Sequence, residues 1–304
     1  MTVSTDGDEI TQAAYAGFPT MFRRRQWDGG PCDLAFVGLP FDTATSNRPG
    51  ARFGPRGVRA ASIELWWGEV WPWALDPFAV LEAVDAGDVK VDLYSTADEA
   101  MAASEALVKK ACQAARTVLA IGGDHLTTLP VLRALASRHG TMGLIHFDAH
   151  ADTADTPRLT HGSVFHHAIR EGLIAPQRSL QVGIRTPWSA AAGTTVRTVD
   201  DVLGTGGDPG PRFREWMDAI GGGPVFVSVD IDCLDPAHAP GTGTPIPGGL
   251  STWHLHKMLR QLADIDIVGA DVVEVAPDLD PTGRTAIAGA ATCLELACAI
   301  AAKR

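Results

Sequence analysis

TVLAIGGDHLTTLPVLRALASRHGTMGLIHFDAHAD, residues 117–152, decides the fold. Its two apolar runs, Thr117–Ile121 and Met142–Phe147, have strand length and no clean period-two alternation, as expected where helices cover both sheet faces. Between them Thr127 to His139 reads as a helix. Strand, helix, strand at this spacing is a right-handed βαβ unit of a parallel sheet. The pattern continues outward in both directions. Leu34–Leu39, Leu180–Ile184, Val225–Val229 and Ile265–Val273 are further runs of strand type, and Asp98–Arg116, Gly162–Glu171, Thr252–Leu262 and Arg284–Ala302 are helical stretches. Residues 1–32 are irregular, broken at Gly17, Pro19 and Gly29-Gly30-Pro31. No linker or repeat divides the chain, so one α/β domain with a mainly parallel sheet is expected over residues 1–304.

Composition narrows the partners. The 304 residues are 45% hydrophobic and 20% charged, enough apolar content for a sizeable core. Acidic residues outnumber basic ones by 36 to 25, giving −11 at neutral pH, and the longest basic run is Arg23-Arg24-Arg25. Such a field repels phosphate, which argues against nucleic acid and anionic membranes as partners. The five cysteines are odd in number and form no C-x-x-C pair, which suits reduced thiols in a cytosol. No secretory signal is visible, and the apolar tract Ala286–Ala302 is interrupted by Glu295, so it reads as a buried helix rather than a membrane span. A soluble cytoplasmic protein is the expectation.

Ligands of an open parallel sheet bind at the carboxyl ends of its strands. Thr117–Ile121 is followed by Gly122-Gly123-Asp124-His125, Met142–Phe147 by Asp148-Ala149-His150-Ala151-Asp152, and Val225–Val229 by Asp230-Ile231-Asp232. Three strands thus deliver two imidazoles and at least four carboxylates to one edge. Gly122-Gly123 lacks the Lys of a P-loop. The side-chain period of two puts Asp148, His150 and Asp152 on one side, and Asp230 with Asp232. Like charges crowded this way are costly unless a cation neutralises them. Six ligands exceed one tetrahedral metal and suit two ions sharing carboxylates. The mixed donor set favours Mn²⁺, with Fe, Co or Ni as alternatives. Two ions about 3.5–4 Å apart would acidify a water between them. A single structural Ca²⁺ or Mg²⁺ is the competing reading, and two imidazoles argue against it.

These residues lie in longer segments: PFDTATSNRPGARFGP, GGDH, HFDAHAD, HGSVFHHA, GIRT, SVDIDCLDPAHAPGTGTPIPGGL and VGADVVEVAPDLDP, in that order from about Asp33 onward. In these the chain resembles the ureohydrolases, the family of arginase, agmatinase and guanidinobutyrase. The resemblance implies a three-layer α/β/α fold with an eight-stranded, mainly parallel sheet. It also implies hydrolysis of a guanidino group to urea and an amine at a binuclear manganese site, and assembly into trimers or hexamers. His125, Asp148, Asp152 and Asp230 match the ligands of one ion, and Asp148, His150, Asp230 and Asp232 those of the other. His161 matches the histidine that passes a proton to the leaving amine, and Glu274 the carboxylate that grips the guanidinium. Chemistry supports both roles. A guanidinium offers only donors and seeks a carboxylate, and an amine leaving group needs a proton that a nearby imidazole can give. Asp152 can accept a proton as the attack proceeds.

Other residues receive plainer readings. His146 lies inside a strand and reads as a packed core histidine. His166 and His167 follow His161 on a helix. The cluster Trp66, Trp67, Trp71 and Trp73 reads as core or subunit contact, with a cation–π wall as the alternative.

Among ureohydrolases the resemblance is nearest to the agmatinase branch, through PFDTATS, VVEVAP and DIDCLDPAHAPGTGTP. Two departures bear on the substrate. The loop DTADTPRLTH (152–161) looks short, and DPTGRTA (280–286) looks more like guanidinobutyrase. Arg158 in that loop is either a partner for the carboxylate of an ω-guanidino acid such as 4-guanidinobutyrate or a solvated charge. Agmatine, an ω-guanidino acid, and a small or alkylated guanidine or biguanide are therefore all substrate candidates. The non-hydrolase alternative is a non-catalytic partner of a paralogue in a hetero-oligomer. A one-zinc deacetylase on the same fold would leave His125 and Asp232 without a duty.

Overall fold

The computed structural model describes residues 15–92, 94–189, 192–204, 206–218 and 220–304. The six apolar runs all become strands: β1 (Cys32–Gly38), β3 (Ala115–Ile121), β4 (Met142–Phe147), β5 (Ile174–Ile184), β7 (Val225–Asp230) and β8 (Ile267–Val273). Two more strands escape the hydrophobic pattern. β2 (Ala83–Asp88) carries Asp85, Gly87 and Asp88, and β6 (Thr195–Thr198) is four polar-rich residues long. Both lie at the sheet edges, where only one neighbour is available and burial is partial. The eight strands form one sheet in the order β2-β1-β3-β8-β7-β4-β5-β6, and every pairing is parallel. This is the eight-stranded parallel α/β architecture that the resemblance implies.

Helices follow the strands. α3 (Ala97–Ala114) opens on a capping box in which Thr96 and Glu99 bond reciprocally. α4 (Thr128–His139), α5 (Val164–Arg170), α8 (Thr252–Leu259) and α9 (Arg284–Ala302) sit where the periodicity places them. The shorter α1 (Gly54–Ser62), α2 (Pro77–Val80), α6 (Val199–Leu203) and α7 (Gly210–Asp218) were not legible as helices. α9 is long and apolar enough to cross a membrane, yet most of it is buried within the protein. All five cysteines are buried and free. Of the tryptophans, Trp66 is core, Trp73 donates to Glu295, and Trp67 and Trp71 are exposed. Trp67 and Trp71 line a cavity beside α8 and α9, with His256 and Leu294.

The sheet centre is what positions the chemistry. Ile121, Val272, Val229 and Phe147 form one row across β3, β8, β7 and β4. The residues that follow leave the sheet at nearly one height.

Candidate active site

The four central strands each end in a loop that carries polar side chains into the same volume. The loop after β3 brings His125, that after β4 brings Asp148, His150 and Asp152, the last residue of β7 is Asp230 and the turn after it brings Asp232, and the loop after β8 brings Glu274. Gly123 makes the first of these approaches feasible: a Cβ there would lie 1.6 Å from the Phe41 carbonyl oxygen. All six residues read from sequence as metal ligands come together. His125 Nδ1 faces Asp152 Oδ2 at 2.9 Å and Oδ2 of Asp148 and Asp230 at 3.2 Å each. His150 Nδ1 faces Asp232 Oδ2 at 3.1 Å and Asp148 Oδ1 at 3.3 Å. Asp148 therefore stands between the two imidazoles.

Whether these donors suit a cation is decided by the proton on His125. Ser228 Oγ donates to Asp271 Oδ1 at 2.6 Å and so accepts from His125 Nε2 at 3.0 Å. The ring proton is on Nε2, which leaves the lone pair of Nδ1 aimed at three carboxylate oxygens. That atom is buried and makes no hydrogen bond. A lone pair among carboxylate oxygens is repulsive until a cation sits between them, and the donor set fits a divalent metal. Electrostatics agrees. Burial and the neighbouring Asp232 and Asp148 charges push Asp230 well above the ordinary carboxylate range. Burial and Asp148 likewise push Asp232 up to about 7.

His146 is buried in β4 as expected, but it also works on the site. Gln181 Nε2 donates to His146 Nδ1 at 3.0 Å, so Nε2 carries the proton and donates to Asp148 Oδ2 at 2.8 Å. Gln181 is itself oriented by donation to the Ala151 carbonyl and by acceptance from Thr194 Oγ1. These supports lie on β4, β5, β7 and β8, too far apart in sequence for spacing to reveal them.

His161 and Glu274 form the second part of the site. His161 Nδ1 lies 2.9 Å from Glu274 Oε1, an oxygen that also accepts the His125 amide at 2.9 Å. Asp152 (φ 51°) and Glu274 (φ 63°) both adopt left-handed backbone. Such conformations cost a non-glycine residue energy and concentrate where a side chain must be aimed. Burial pulls the His161 pKa down, but the Glu274 carboxylate outweighs it and pushes the ring up to about 9. On the far side Ser46 meets Nε2 through its amide at 3.1 Å and its hydroxyl at 2.8 Å. An amide can only donate, so its contact is made with an unprotonated Nε2. Ser46 lies in the PFDTATSNRPGARFGP segment but was not singled out from sequence.

The mouth opens through two cavities beside His150. One, of about 430 Å³, is lined by Asp152, Asp155, Thr186 and Trp188 among others; the second, of about 470 Å³, by Asn47, Arg48, Thr244 and Ile246. Arg158 lines neither. It is exposed, and its carbonyl accepts from Ser163 Oγ and His167 Nε2. His166 lies 3.5 Å from Asp155 rather than at the donor cluster. Arg48 is engaged with the Thr242 and Gly243 carbonyls.

Known proteins are similar to this chain over most of its length. The model of the arginase family matches residues 32–299. Agmatinase from Edwardsiella ictaluri (strain 93-146) is 45% identical over 285 residues, 90% of each chain. Agmatinase from Proteus mirabilis is 43% identical over 303 residues, 99% of this chain and 97% of its own. The structure of proclavaminate amidino hydrolase from Streptomyces clavuligerus superposes with a TM-score of 0.90 at 36% identity, covering 96% of this chain and all of that one. A fold and a sequence that agree over nearly the full length make this chain an amidinohydrolase of the arginase family.

Proposed function

We propose that the protein hydrolyses agmatine to urea and the corresponding diamine at a binuclear divalent-metal site. The observation that carries this reading is the Glu274–His161 pair set against two carboxylate–imidazole nests. His125, Asp148, Asp152 and Asp230 would hold one ion, and Asp148, His150, Asp230 and Asp232 the other, with Mn²⁺ favoured and Ni²⁺ or Co²⁺ as alternatives. Bound there, the ions supply the acidification that turns water into a nucleophile near neutral pH. Glu274 uses Oε1 to hold His161, leaving Oε2 for the guanidinium, a charge-assisted bond. Asp152, on the cavity wall, accepts a proton as water adds to the guanidino carbon. His161 delivers a proton to the leaving nitrogen as the C–N bond breaks.

Support for a cationic tail comes from the mouth, where Asp155 and the Trp188 ring line the cavity and Arg158 does not. The curated relatives named agmatinase favour the same substrate. An ω-guanidino acid such as 4-guanidinobutyrate would need Arg158 to turn inward. The working form we propose is a cytoplasmic homo-oligomer, a trimer or hexamer, in which each chain is one catalytic domain. The exposed Trp67 and Trp71 offer apolar surface for subunit contact.

A urea-release screen over agmatine, 4-guanidinobutyrate, 3-guanidinopropionate, arginine, guanidine and biguanides, with Mn²⁺, Ni²⁺ or Co²⁺ supplied, tests the reading. Agmatine should give the highest kcat/KM. Urea from none of them would overturn the activity, and one ion per chain by metal analysis would overturn the binuclear site.

A further inference from the structure

We infer that Ser46 is a positioning residue for His161: its hydroxyl holds Nε2 of the imidazole whether or not that nitrogen carries a proton. The inference rests on the reading of His161 as the proton donor. Glu274 holds Nδ1, so the proton that goes to the leaving nitrogen is the one on Nε2, shared beforehand with Ser46 Oγ; Nε2 is a donor before the transfer and an acceptor after it. A fixed partner can satisfy one state only. The Ser46 hydroxyl, 2.8 Å away, can rotate to accept from the imidazolium or donate to the neutral ring. The Ser46 amide at 3.1 Å serves the neutral state alone.

The loop that carries Ser46 is pinned, so this contact is built into the fold. Asp124 Oδ2 accepts the Ala44 amide at 2.8 Å, and the Ala44 carbonyl accepts the His161 amide at 3.3 Å. Arg48 ties the next residues to the Thr242 carbonyl at 2.8 Å, and Asp42 Oδ2 accepts the Gly50 amide at 2.7 Å. The loop thus bridges β1 to the ends of β3 and β7 and presents Ser46 to the imidazole edge opposite Glu274. The charged groups around His161 are Glu274 after β8, Asp152 after β4 and Asp124 after β3. All three are carboxylates that favour the imidazolium. The amide opposes them, and the hydroxyl suits either side.

Ser46→Ala and Ser46→Thr, made in the metal-loaded protein, separate this role from packing. Ser46→Ala should lower kcat on agmatine about tenfold with KM within about twofold, the size of one lost hydrogen bond. Ser46→Thr, which keeps the hydroxyl, should recover most of it. A second readout needs no turnover: peptide-resolved diethylpyrocarbonate modification of His161 against pH. Losing the acceptor for the imidazolium should move the midpoint down in Ser46→Ala and leave it in place in Ser46→Thr. An unchanged midpoint and kcat in Ser46→Ala would overturn the inference, as would Thr and Ala variants equally impaired. If the wild type releases urea from no guanidine, the proposed activity fails, while the modification profile still decides the role of Ser46.

Discussion

Ser228 on β7 and Asp271 on β8 are register partners, and their side chains meet at 2.6 Å. This one cross-strand bond fixes the direction of the Ser228 hydroxyl and, through it, the proton on His125. Ser228→Ala should therefore weaken metal retention roughly 10–100-fold, the usual effect of losing a group behind a ligating histidine. Chelator competition reads the change directly. Retention equal to the wild type would show that His125 needs no such support.

Glu274→Gln keeps the shape of the side chain and removes its charge. The guanidinium loses a charge-assisted bond worth roughly 1.5–3 kcal/mol, or roughly 10–150-fold in kcat/KM. Metal content should not change, because Glu274 Oε1 is engaged by the His125 amide and His161 Nδ1 rather than by the ligating ring nitrogens. A variant that lost its metal instead would place Glu274 among the ligands.

The pair also makes stability depend on pH. His161 is raised in the folded protein, up to about 9, from about 6.5 when free. Its stabilising contribution is complete below about pH 6.5 and is lost as pH climbs toward 9, because the folded state holds the proton longer. The Tm gap between wild type and His161→Ala should accordingly be wider at pH 6 than at pH 9.5. A gap that stays constant or widens at high pH would contradict the coupling.

Arg185 donates to the carbonyls of Gly183, Asp232, Cys233, Leu234 and Ile246. No ammonium reaches so many acceptors from one stem. Arg185→Lys should cost roughly 2 kcal/mol, or roughly 3 °C in Tm for a chain of this length, and loosen the turn that carries Asp232. Calorimetry of the two proteins checks this, and an unaltered Tm would mean the carbonyls find other donors.

On the proposed reading, substrate choice divides between Asp155 and Arg158. Arg158→Ala should leave agmatine kcat/KM within about twofold, whereas Asp155→Asn should raise KM severalfold, as expected for an exposed charge pair. The opposite pattern, with Arg158→Ala abolishing turnover of 4-guanidinobutyrate, would favour an ω-guanidino acid.

Much of this site could be read from the chain because strand ends are short and their donors are local. G-G-D-H, D-A-H-A-D and D-I-D follow apolar runs directly, so the rule that ligands sit at the carboxyl ends of parallel strands gathered His125, Asp148, His150, Asp152, Asp230 and Asp232 at one edge, and the structure brings them together. His161 and Glu274 came only through resemblance, since nothing in their neighbours forecasts a meeting 113 residues apart. Ser46, Gln181, Ser228 and Asp271 were illegible for the same reason. A hydroxyl or amide becomes functional only when a distant strand delivers its partner. β2 and β6 failed differently: an edge strand buries too little to need an apolar pattern, so its residues look like loop.

The shared row Ile121, Val272, Val229 and Phe147 acts as a ruler. Residues advance by about 3.3 Å along a parallel strand, so one residue added or removed just beyond this row would carry a donor off its mark by most of a metal–ligand bond pair. The walls of the mouth, residues 153–155 and 186–189, are under no such constraint. Attempts to redirect this scaffold to another guanidine should randomise those walls and leave the strand ends untouched.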